Sequence, residues 1–69
     1  MLKTIEECGE LALMADNAEE CLGTFRFGSH YALIKYLKNN HGIIVHSSQD
    51  AIKAAKRLCN EFMMAYNAE

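Results

Sequence analysis

Apolar residues recur every three or four positions in three stretches of this chain, and two short apolar runs lie between them. The first stretch lines up Ile5, Cys8, Leu11, Ala12, Ala15, Ala18 and Leu22, the period of an amphipathic helix. Leu13 and Met14 widen the stripe into an arc that must be packed on something. Thr4-Ile5-Glu6-Glu7 has the form of a capping box, in which the Thr hydroxyl takes the Glu7 N–H and the Glu carboxylate returns to the Thr N–H. Gly9 weakens the helix by about 1 kcal/mol relative to Ala, and Asn17 could cap a restart. The spacing predicts one helix over 4–22, with 16 as its weakest point and Gly23 as its stop.

Thr24-Phe25-Arg26-Phe27 alternates polar and aromatic residues, the pattern of a short strand with both Phe side chains on one face. Ser29 is a suitable cap for a second helix over 30–40, where His30, Leu33, Ile34 and Leu37 share one face and Tyr31, Lys35 and Lys38 the opposite one. Asn40-His41-Gly42 ends it, with Gly42 available for a left-handed position. Ile43-Ile44-Val45 is a β-branched run that reads as a buried strand. Ser47 and Ser48 can cap a third helix over 49–66, with Ala51, Ala54, Ala55, Leu58, Phe62, Ala65 and Tyr66 on its apolar face. The expected architecture is therefore α+β, helix–strand–helix–strand–helix in one domain over 1–69, with a two-stranded parallel sheet and a right-handed crossover. The alternative is an all-α three-helix domain of helix-turn-helix type, with 43–46 as the turn. The expected core is Phe25, Phe27, Leu33, Leu37, Ile44, Leu58 and Phe62.

Composition changes this picture in one respect. A chain of 69 residues buries only about 60% of its unfolded surface, yet 51% of this one is hydrophobic. Such a surplus, with the open edges of a two-stranded sheet, leads us to expect a homodimer or higher oligomer. No apolar run approaches membrane-spanning length. The N-terminus has no signal-peptide pattern, and three cysteines are an odd number. The reading is a cytoplasmic protein with free thiols.

Charge is sorted by segment. Residues 1–25 hold Glu6, Glu7, Glu10, Asp16, Glu19 and Glu20 against Lys3 alone, whereas 26–58 hold Arg26, Lys35, Lys38, Lys53, Lys56 and Arg57 against Asp50 alone. The net charge of −2 conceals this dipole. The acidic arm can fold back on the basic helices, or present carboxylates to a basic surface elsewhere.

Candidate chemistry is sparse. His41 and His46, four residues apart, have one zinc-like spacing, but no close Cys pair completes it. Cys8, Cys21 and Cys59 read as small buried hydrophobes, and no metal or cofactor is expected. Ser47 and Asp50 read as a cap and first-turn acid rather than as parts of a triad. The four glycines form no phosphate loop, and so small a chain has little room to enclose a substrate pocket. We expect no catalytic residues and no enzyme.

The expected function is a protein–protein interaction module that regulates or inhibits a larger protein by occupying a charged surface. Small phage or mobile-element inhibitors share this composition, an analogy that rests on no particular residue. The contact residues expected are Lys53, Lys56 and Arg57 on the last helix, Lys35, Lys38, Tyr31 and Arg26 on the middle segment, and Glu6, Glu7 and Glu10 on the first helix. The alternative is a small dimeric DNA- or RNA-binding regulator using the basic face of 49–66. A pI near 5.9 and the lack of a recognition motif favour the first reading.

Overall fold

The computed structural model, described over residues 2–24 and 26–68, consists of three helices: α1 (Ile5–Glu20), α2 (Gly28–His41) and α3 (Ser48–Ala68). No strand occurs among the described residues. The α+β expectation with its parallel sheet is thus corrected to an all-helical domain.

Each expected strand failed for its own reason. Phe25 lies outside the described residues. Phe27 already has helical dihedrals and caps α2, its carbonyl accepting from the Tyr31 N–H at 3.0 Å. The helix therefore starts before Ser29, which is not its cap; the Ser29 hydroxyl instead receives the Cys21 thiol at 4.0 Å. Residues 43–45 have no sheet partner among the described residues, and a lone extended segment cannot form a ladder.

Helix direction explains why that segment is extended. Ala18 meets His30 and Cys21 meets Ser29, while Glu7 and Glu10 share a cleft with Tyr36 and His41, so α2 runs antiparallel to α1. Glu19 pairs with Lys56, and Leu2 lies against Phe62 and Ala65, so α3 is antiparallel to α1 as well. Helices α2 and α3 consequently point the same way, and the chain must travel back along the bundle between them. Residues 42–47 can span about 20 Å when extended, close to the ~21 Å rise of a helix as long as α2. Only extended backbone is long enough, and β-branched residues favour it. Ile43 and Val45 pack on the core while Ile44 is 69% exposed. The alternative of an all-α three-helix domain is the architecture found, but its helix-turn-helix form is not, since 42–47 is a strap and not a turn of about 3–4 residues.

Apart from the start of α2, the ends of the helices follow their sequence signals. Thr4 Oγ1 accepts the Glu7 N–H at 3.1 Å, but the Glu7 carboxylate returns to the Lys3 N–H, also at 3.1 Å, rather than to that of Thr4. Helix α1 is continuous through Asp16. Gly42, at φ +66°, closes α2, and its N–H and that of Ile43 satisfy the carbonyls of Lys38 and Leu37. Ser47 Oγ accepts the Asp50 N–H at 3.1 Å. Gly23, at φ +80°, permits the turn after α1.

The core lies where the three helices meet. Leu11, Leu33 and Leu37 are its largest fully buried side chains, joined by Leu2, Cys8, Ala15, Ala18, Ala51, Ile52 and Ala55. Of the expected core, Leu33 and Leu37 are central, Leu58 and Phe62 only partly buried, and Phe27 and Ile44 exposed. The small residues of α1 and α3 explain the shift: alanines let these two helices pack closely, and α1 packs more extensively on α3 than on α2. His30, the buried polar residue, directs Nε2 to the Ala18 carbonyl at 3.0 Å. It satisfies an acceptor at the end of α1 that has no full helical complement.

Candidate interaction surface

Helix α2 contains no acidic residue. Its inner face is set by His30, Leu33 and Leu37, so the helical period forces Phe27, Tyr31, Lys35 and Lys38 outward in one stripe. Tyr31 is 70% exposed and Phe27 50%, and both lysines lie on the surface. Among the described residues neither lysine forms an ion pair. Arg26 is exposed just before the helix, its N–H held by Thr24 Oγ1 at 3.2 Å. Tyr31, Lys35 and Lys38 thus share one outer side of α2, with Arg26 exposed in the segment just before it. Sequence reasoning missed Phe27, which was assigned to the core. The signal was present: Phe27 stands four residues before Tyr31, and a helix begun one turn earlier would have placed it in the stripe.

The basic residues of α3 are less free. Lys56 Nζ pairs with the Glu19 carboxylate, and that hydrogen bond holds its ammonium pKa above the ordinary lysine value. Arg57 pairs with Glu61 one turn on, at 3.2 Å. Lys53 is exposed. The acidic arm does clasp α3, but through Glu19 rather than through Glu6, Glu7 or Glu10. Glu6 and Glu10 face solvent, while Glu7 is partly buried and serves the helix start.

Glu7 and Glu10 also line a polar cleft of about 360 Å³ with Lys3, Tyr36, Asn40 and His41. Partial burial there, followed by the nearby Glu10 and Glu7 carboxylates, raises the Tyr36 phenol above its usual pKa. His41 Nε2 is shielded from solvent with no hydrogen-bond partner among the described residues, and its ring tilts against that of Tyr36 at 5.4 Å. These groups do not assemble a nucleophile and its base.

The cysteines are free. Cys59 donates to the Cys8 carbonyl at 3.4 Å across the α1–α3 contact. Burial, then the neighbouring Cys8 thiol, pushes its pKa up to about 11, which makes it a poor nucleophile near neutrality. No three His, Cys, Asp or Glu side chains cluster to hold a metal among the described residues. His41 and His46 stand at opposite ends of the strap, kept apart by its extended backbone. No described helix is long and apolar enough to cross a membrane. Compared with protein-family models, curated proteins and solved structures, the chain matches none.

Proposed function

We propose that this chain is a small cytoplasmic interaction module that regulates or inhibits a larger protein by occupying an acidic surface on it, and that it acts as a homo-oligomer. The observation that carries this reading is the outer stripe of α2. Two exposed aromatic rings, Phe27 at the cap and Tyr31 in the first turn, are followed by two exposed lysines, Lys35 and Lys38, on a helix that has no acidic residue. Exposed aromatic side chains flanked by cations match the composition of interface hot spots, where an apolar anchor supplies affinity and charge supplies orientation. The basic face of α3 is the weaker candidate, because Lys56 and Arg57 are already paired within the chain.

The test is capture of binding proteins from host lysate by the tagged chain, with and without nuclease, across a salt series. Binding by the wild type should survive nuclease and moderate salt, because its aromatic anchors are not screened. Tyr31→Ala combined with Lys35→Glu and Lys38→Glu should abolish capture while leaving the helical circular dichroism and Tm nearly unchanged. Loss of capture on nuclease treatment, with a steep salt dependence, would move the reading to a DNA- or RNA-binding regulator. Capture unaffected by the triple variant would exclude α2 as the contact surface.

A further inference from the structure

The last turns of α3 pose a packing problem that the single chain does not solve. Phe62-Met63-Met64-Ala65-Tyr66 are five consecutive apolar residues, and at 3.6 residues per turn they encircle the helix. A helix segment that is apolar all round is normally buried all round. Here α2 has already ended, and among the described residues the segment from Leu2 to Ile5 is what borders this part of α3, leaving a groove of about 400 Å³. Met64 is 74% exposed, Tyr66 51% and Ile5 52%.

A monomer of 7.8 kDa should expose about 4,400 Å², whereas this elongated chain, 42 × 21 × 17 Å in extent, exposes 5023 Å². The exposed Ile5, Met64 and Tyr66 contribute to that excess at one end of the molecule. The charges at the rim are complementary to themselves. Leu2, Phe62 and Ala65 form a strip with Glu61 on one flank and Lys3 on the other. A two-fold axis through that strip would set each Lys3 against the partner copy's Glu61, the reciprocal pairing of an isologous contact. Glu61 already takes Arg57 at 3.2 Å, and a carboxylate has acceptor sites for both.

We propose that the start of α1 and the end of α3 form a two-fold homodimer interface, centred on Phe62 and Ala65 with Ile5 and Tyr66 beside them. This rests on the self-association proposed above and leaves the α2 stripe free for the larger partner. Sedimentation equilibrium over a concentration series tests it. The wild type should have a mass near twice 7.8 kDa. Ile5→Glu and Ala65→Glu, both at exposed positions, should each weaken dimerisation by more than about a hundredfold, because a carboxylate would be buried unpaired. Far-UV circular dichroism at high concentration should show each variant still helical. Lys3→Glu or Glu61→Lys alone should weaken the dimer several-fold, and the two together should restore it. A wild type that stays monomeric into the high micromolar range would overturn self-association altogether. A dimer that persists in both carboxylate variants would overturn this interface alone, and failure of the double swap to restore dimerisation would overturn the two-fold pairing.

Discussion

The two halves of α3 are both apolar, and they meet different fates. In the first half Ala51, Ile52 and Ala55 are buried, beneath α1, α2 and the returning strap. In the second half Phe62 is only partly covered and Met63, Met64 and Tyr66 are exposed, because α2 stops short and α1 only begins there. Phe62 and Tyr66 stack on each other with ring centroids 6.0 Å apart, a local substitute for a neighbouring helix. Apolar sequence states how much surface must be covered. The reach of neighbouring elements decides what covers it.

The strongest way to break this contrast is to damage the well-covered region. Leu37→Ala, at a fully buried position, should cost about 2–5 kcal/mol, which for so small a domain threatens folding outright. Urea denaturation monitored by circular dichroism reads it directly. Phe62→Ala, measured at concentrations where the chain is monomeric, should cost roughly half as much, since the ring is only partly buried and its loss opens to solvent rather than to a cavity. Equal losses at the two positions would erase the distinction between the halves.

A smaller effect is expected at the start of α1, the element that borders the exposed half. Thr4→Ala removes the acceptor of the Glu7 N–H and should cost about 1 kcal/mol, seen as a lower denaturation midpoint with an unchanged slope. Alkali probes the α1–α3 contact. The Cys59 thiol holds its proton up to about pH 11 in the folded chain, against an ordinary value of 9.0. Between those values the unfolded chain releases a proton that the folded chain keeps, so stability is intact below about pH 9 and falls as pH rises through 11. Tyr36, raised in the same direction, adds to that loss above pH 10. Cys59→Ala should flatten the lower part of this decline. The least effect belongs to Lys56→Ala, which removes an exposed ion pair with Glu19. Its Tm should barely move, and a large fall would mean that the acidic arm holds the bundle together by charge.

Much of the local structure was readable along the chain. The Thr4 cap, the Gly42 stop, the Ser47 cap and the inward faces carrying Cys8, Leu11, Leu33 and Leu37 all follow from short-range hydrogen bonding and helical period, both properties of neighbouring residues. Tyr31, Lys35 and Lys38 were placed on one outer face by the same period. The misread segments are those whose state depends on distant chain. Ile43-Ile44-Val45 has strand propensity, but a strand needs a partner, and none occurs among the described residues, where Phe27 caps α2 instead. Phe27 looks like core because it is large and apolar, yet it caps α2 and stays half exposed, touching the buried face only at its edge contact with His30, 6.0 Å between ring centroids.

By itself, then, the sequence determined where α1 and α3 begin and where α2 ends, which helix faces are apolar, and that the charges are segregated, because these depend on residues a few positions apart. Only the tertiary structure decided that α2 and α3 run parallel, that the β-branched run spans the bundle as an unpaired strap, that Glu19 rather than Glu6, Glu7 or Glu10 meets the basic helix, and that one end of α3 outruns its cover. Those outcomes depend on how lengths and directions of separate elements fit together, and no local pattern encodes that fit.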